Sequence, residues 1–117
     1  MQVPDQAVLL RVFIGETDRF GAHSLFEAIV VKARELGMAG ATVLRGPMGF
    51  GQSSHLHSAK ILRLSEDLPV VIEVVDSRAK IDQLVATIGP MIGSGLITLE
   101  NVQVLRYGSS SGSTSTP

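Results

Sequence analysis

The chain has 117 residues, with ten Lys and Arg against eleven Asp and Glu and no cysteine. A chain of this size forms one domain with one core; its net charge of -1 leaves no electrostatic footprint for a phosphate backbone and no basic helix for a membrane surface. Without thiols there are no disulfides, zinc-thiolate sites or cysteine nucleophile, and with no leader pattern or apolar run of about 18 residues the expectation is a soluble cytoplasmic domain that does not bind nucleic acid.

The first predicted element is a strand over Ala7 to Glu16, "AVLLRVFIGE", with Val8, Leu10, Val12 and Ile14 on one face and Leu9 and Phe13 on the other, Arg11 among them. Ser24 stands three residues before Glu27, the spacing of a capping box, so a helix is expected to start there. Leu25, Ile29, Ala33 and Leu36 give it a buried stripe, and Gly37 supplies a left-handed stop. Gly40 to Arg45, "GATVLR", reads as the next strand. The stretch Arg45 to His57, "RGPMGFGQSSHLH", opens a long connection; Ala59 to Leu64, "AKILRL", reads as extended, and Ser65 to Pro69, "SEDLP", as a turn. Val70 to Asp76, "VVIEVVD", is the most strand-like run. Ser77 caps a second helix with Ile81, Leu84, Val85 and Ile88 on one face, and Pro90 ends or kinks it. Leu96 to Tyr107 closes the fold in one or two extended pieces, and residues 108–117, "GSSSGSTSTP", read as a disordered tail after a domain over 1–107.

Strand, helix, strand, long loop, strand, helix, strand is the order of an α+β ferredoxin-like βαββαβ sandwich. Two helices cover one face of a four-stranded sheet. Leu9, Phe13, Val71 and Val75 then fall on the uncovered face, for which the simplest cover is another copy of the chain.

Two glycine-rich stretches suit an anion. Gly46, Gly49 and Gly51 allow backbone N–H groups to approach a ligand with no Cβ in the way, Ser53 and Ser54 add hydroxyl donors, and Gly93, Ser94 and Gly95 form a second such turn. On this reading Val at Gly51 or Gly95 blocks the ligand and leaves packing intact. Lys60 and Arg63 are either anion contacts or the solvated positions of an apolar run. His55 and His57 project to one side of an extended segment, as a divalent metal pair or an acid-base group would, but no carboxylate or third ligand lies near them in sequence, and His23 is far off. Ser53 and Ser54 lack a nucleophile elbow.

The segments "GFGQSSHLH", "DLPVVIEVVDSRAKIDQLVATI" and "IGSGLITLENVQVLRYG", spread over residues 8 to 107, resemble the PII signalling proteins. "RGPMGFG" with "LSEDLPVVIEVVD" is similar to the PII-like branch known as domain of unknown function 190, whose genes often stand beside those of fluoride channels. The resemblance implies a homotrimer, a mobile loop between the second and third strands, and inter-subunit clefts that bind an adenine nucleotide or a similar small anionic effector. With the glycine turns read as an anion site, the candidate ligand contacts are Gly46, Gly49, Gly51, Gln52, Ser53, Ser54, His57, Lys60, Arg63, Gly93, Ser94 and Gly95, and the candidate docking residues, for a membrane channel or transporter as partner, are Met48, Phe50 and Leu56. Two cations of the PII pattern are missing: Leu96 stands where a phosphate-binding lysine follows the glycine turn, and Gln52 where an arginine follows Gly-Phe-Gly. The main expectation is thus a non-catalytic sensor that regulates a partner. Beside it stands a small ferredoxin-fold enzyme using His55 or His57, or a metal-binding trimer; one Tyr, no Trp and few aromatics leave little to shape a dry catalytic pocket.

Overall fold

A computed structural model of the chain describes residues 5–50 and 67–108. Strand β1 (Gln6–Gly15) leads through a hairpin of two short strands, β2 (Arg19–Phe20) and β3 (His23–Ser24), into helix α1 (Leu25–Glu35). Strand β4 (Thr42–Arg45) precedes the long connection, after which come β5 (Pro69–Asp76), α2 (Arg78–Ile88), a single 3-10 turn (Gly89–Met91) and β6 (Leu96–Gln103). The main sheet has the order β4-β5-β1-β6 with antiparallel pairing throughout. This is the ferredoxin-like arrangement expected from the sequence, with the β2–β3 hairpin as an addition that two-residue strands do not announce. The strand-like run Ala59 to Leu64 lies outside the described residues, as does the tail beyond Gly108.

Local chemistry sets the helix ends. Ser24 has an extended N-cap backbone, but its hydroxyl donates to Glu27 Oε1 at 2.7 Å and not to the helix backbone. The capping-box residues thus meet each other without capping; separately, the Leu25 N–H, one of the donors left over at the helix start, is satisfied by Asp18 O at 2.8 Å. At the other end Gly37 takes the left-handed conformation, φ 74°, and Met38 N–H reaches back to Ala33 O at 3.0 Å. Lys80 of α2 donates to Leu36 O at 2.7 Å, tying the second helix to the free carbonyls of the first. Ser77 caps α2 as expected, accepting from Lys80 N. Pro90 sits in the 3-10 turn that ends it.

Paired residues on neighbouring antiparallel strands share a face, so the register fixes two different surfaces. Val8, Leu10, Val12 and Ile14 of β1 join Val70, Ile72 and Val74 of β5 beneath Leu25, Ile29, Ala33, Ile81, Leu84 and Ile88, and this is the buried core. Asp76 at the end of β5 is 1% exposed, and its carboxylate accepts from Ala39 N at 2.9 Å and Ser77 N at 2.7 Å. It is the buried polar anchor of the link between α1 and β4.

The opposite face has no helix on it. One row runs Leu44, Val71, Phe13, Leu96 and another Val75, Leu9, Glu100. Between them Arg11 donates from Nε to Glu73 Oε2 at 2.9 Å and from Nη1 to Glu100 Oε1 at 3.1 Å. The bond to Glu73, together with the charge of both carboxylates, holds the Arg11 pKa above its ordinary value. Leu9, Phe13, Val71 and Val75 fall on this face, as the alternation requires, and all four are only half-buried.

Candidate functional site

Four chain segments converge at one end of the sheet. Gly15 closes β1 opposite Pro69, Arg45 closes β4 opposite Val70, and Leu96 opens β6 opposite Phe13. The chain leaves this end after Phe50 and re-enters the described residues at Asp67.

The outgoing stem lies on a proline. Gly46 N–H donates to Pro69 O at 2.8 Å, and a Cβ on Gly46 or Gly49 would stand 2.8 Å or 3.0 Å from Pro69 Cγ. These two glycines are therefore needed for the approach of backbone to ring, a packing reason additional to any ligand. Met48 and Phe50 are 65% and 70% exposed. The second glycine turn divides in two. A Cβ on Gly95 would lie 2.9 Å from the Phe13 carbonyl and 3.0 Å from Ile92 Cγ2, whereas nothing comes within 4 Å of one on Gly93. The expectation that Val at Gly95 would spare packing is thus corrected. Gly95 lets β6 start against β1, and Gly93 is the position where a side chain meets open space.

Between the two turns sits a cluster not anticipated from the sequence. Glu16 N–H donates to Leu68 O at 2.8 Å, and the Glu16 carboxylate meets Arg45 Nη2 at 2.8 Å. Thr17 donates to Asp67 Oδ1 from its hydroxyl at 2.9 Å and from its backbone at 3.3 Å, while Asp18 Oδ2 accepts from Gly15 N at 2.9 Å. The turn after β1 thereby grips both stems of the long connection, one through Arg45 and the other through Asp67. These partners lie dozens of residues apart, so no local spacing marks them; the only sequence signal was the polar turn itself, "GETD".

Gly51, Gln52, Ser53, Ser54, His55, Leu56, His57, Lys60 and Arg63 lie outside the described residues. Of the predicted site residues that are described, Gly46 and Gly49 stand by β4 and Gly93, Ser94 and Gly95 before β6. These are the two edges of the sheet, separated by three strand spacings, roughly 14 Å. One chain places the two glycine turns at the same end but does not close them onto one ligand. A separate apolar groove runs along α1, lined by Phe20, His23, Phe26, Val31, Val43 and Met91, and takes in none of the predicted ligand or docking residues. Among the described residues no group of three or more His, Cys, Asp or Glu could hold a metal ion, and no helix is long and apolar enough to cross a membrane.

The comparisons with known proteins fit this geometry. A UPF0166 protein of Aquifex aeolicus is 36% identical over 97 residues, covering 83% of this chain and 91% of the relative. A UPF0166 protein of Methanocaldococcus jannaschii is 30% identical over 102 residues, covering 86% and 94%. Among solved structures, CPII of Thiomonas intermedia K12 bound to ADP and bicarbonate superposes with a TM-score of 0.64 at 16% identity, over 86% of this chain and 90% of that one. The GlnK–ATP complex of B. subtilis gives 0.55 at 15% identity, over 86% and 85%. At such identities the structural likeness establishes the fold, which is that of PII-like proteins. The family model described as "Uncharacterized ACR, COG1993" matches residues 7–104, and the chain belongs to that family, DUF190.

Proposed function

We propose that the protein is a non-catalytic PII-like regulator whose subunits associate through the open sheet face, bind a small anionic effector between them, and act on a partner through the segment that begins at Gly46. One observation carries this reading: the two glycine turns stand at the same end of the sheet but on opposite edges. A neighbouring copy, packed so that its β6 edge approaches this chain's β4 edge, brings its Gly93 turn to the Gly46 turn and completes the cleft. The half-buried apolar rows around Phe13 and Leu9 supply the contact surface for such packing. The resemblance to PII proteins implies a cyclic trimer.

The effector proposed is an adenine nucleotide or a similar oxyanion. Solved relatives carrying ADP, AMP, bicarbonate, acetate or ATP support this class. Leu96 and Gln52, standing where PII proteins carry cations, favour a ligand of lower charge than ATP. The partner proposed is a membrane channel or transporter, met through Met48, Phe50 and Leu56.

Light scattering combined with a thermal-shift screen tests the reading. The expected result is three subunits per particle and a rise in melting temperature with AMP or ADP, because a ligand that binds only the folded state stabilises it by mass action. A monomer that no nucleotide or small oxyanion stabilises refutes it.

A further inference from the structure

The Arg45–Glu16 pair holds a cation at the root of the proposed cleft. Arg45 ends β4, directly before Gly46, and its side chain is 51% exposed; its guanidinium meets the Glu16 carboxylate at 2.8 Å. Glu16 does not reach this place by chance of side-chain freedom. Its own N–H is fixed on Leu68 O at 2.8 Å, and the next residue is bound twice to Asp67. The turn is therefore rigidly placed, and it presents a carboxylate to the one cation adjoining the Gly46 turn in sequence.

A guanidinium recognises carboxylate, bicarbonate and phosphate oxygens by the same planar geometry. A pair whose guanidinium is half exposed and whose carboxylate is 26% exposed keeps enough contact with water for an oxyanion of the solution to exchange with the carboxylate. We infer that Glu16 is an internal competitor for the effector: its carboxylate occupies the place on Arg45 that an effector oxyanion takes, so that Arg45 is an anion contact of the cleft and Glu16 sets its threshold. This rests on the proposed cleft and gives Glu16 and Arg45 a role that the sequence reading did not give them.

The test is titration calorimetry of AMP, ADP and inorganic phosphate into the wild type and into Glu16→Gln, Arg45→Gln, Arg45→Lys and the double Glu16→Gln/Arg45→Gln variant, with thermal melts as the control for folding. Removing the competitor should tighten binding about fivefold, the upper end of what an exposed pair is worth. Arg45→Gln should weaken it at least tenfold, Arg45→Lys should retain part of it, and the double variant should match Arg45→Gln alone. Comparison of phosphate with the nucleotides shows whether the oxyanion suffices or the nucleoside is needed. If the wild type binds while Glu16→Gln and Arg45→Gln both bind as the wild type does, the competitor role is overturned and the cleft stands. If Glu16→Gln lowers the melting temperature with no gain in affinity, the pair is a structural tie and the inference is overturned. If the wild type binds none of the three ligands, the cleft and the inference fall together.

Discussion

Thr17 donates both its hydroxyl and its backbone N–H to the carboxylate of Asp67, fifty residues along the chain, and Asp67 is the one non-glycine residue with positive φ, 39°, among those described. A left-handed backbone is costly for most side chains and tolerated best by Asn and Asp. The bonds from Thr17 thus hold the returning stem in a conformation that few other residues would accept there.

A substitution series at Asp67 separates the two contributions. Asp67→Asn keeps the left-handed tolerance and an oxygen for Thr17, and should change stability by less than about 0.5 kcal/mol. Asp67→Gly relieves the backbone but loses the side-chain bonds, at about 1 kcal/mol. Asp67→Ala loses both, at about 2 kcal/mol. Urea unfolding midpoints check the ranking Asn, Gly, Ala; an alanine variant as stable as the asparagine variant would refute it.

The second glycine turn offers a sharper contrast. Gly95→Ala should cost about 1–3 kcal/mol, because the new methyl is driven onto the Phe13 carbonyl and Ile92. Gly93→Ala meets no atom within 4 Å and should melt like the wild type. If the proposed cleft is real, Gly93→Val lowers AMP or ADP affinity at unchanged stability. Binding and melting curves on the same samples decide this, and equal stability of the two alanine variants would contradict the packing account.

Much of the architecture was legible because it is written in local spacing. The alternation of Val8, Leu10, Val12 and Ile14 put the core face of β1 where it lies, Gly37 marked the end of α1, and Ser77 the start of α2. The capping box closed in another way: the Ser24 hydroxyl donates to the Glu27 carboxylate and makes no bond to the helix backbone. The site was less legible. Gly46, Gly49 and Gly95 carry the composition of an anion cradle, yet contacts with Pro69, Phe13 and Ile92 give each a packing reason that sequence does not display. Glu16, Thr17 and Asp67 work only through partners brought close by the β1–β5 and β4–β5 registers, and a register is a property of the folded sheet.

The open face predicts how assembly should respond to charge. Phe13 and Val71 are neighbours in the apolar row that also holds Leu44 and Leu96. Phe13→Asp should convert the expected trimer to smaller species at micromolar concentration by burying an unpaired carboxylate in the contact. A change at the exposed Gln83 of α2 should leave it unchanged. Sedimentation or light scattering reads the outcome. An intact trimer of Phe13→Asp would place the subunit contact on another surface.

Met48 and Phe50 bear on the partner. Both stand largely in water on the outgoing stem, next to glycines that lie flat against Pro69, and large apolar side chains so placed are free to bury against a partner. Leu56, further along the connection, lies outside the described residues. Replacing Phe50 and Leu56 together with Ser should leave the melting temperature and nucleotide binding within error of the wild type, on the reading that both serve docking; Phe50 is 70% exposed. The same change should abolish co-sedimentation with membranes from cells that express the proposed channel or transporter partner. Membrane association that survives the double change, or that the wild type lacks in those cells, removes the docking role from these residues.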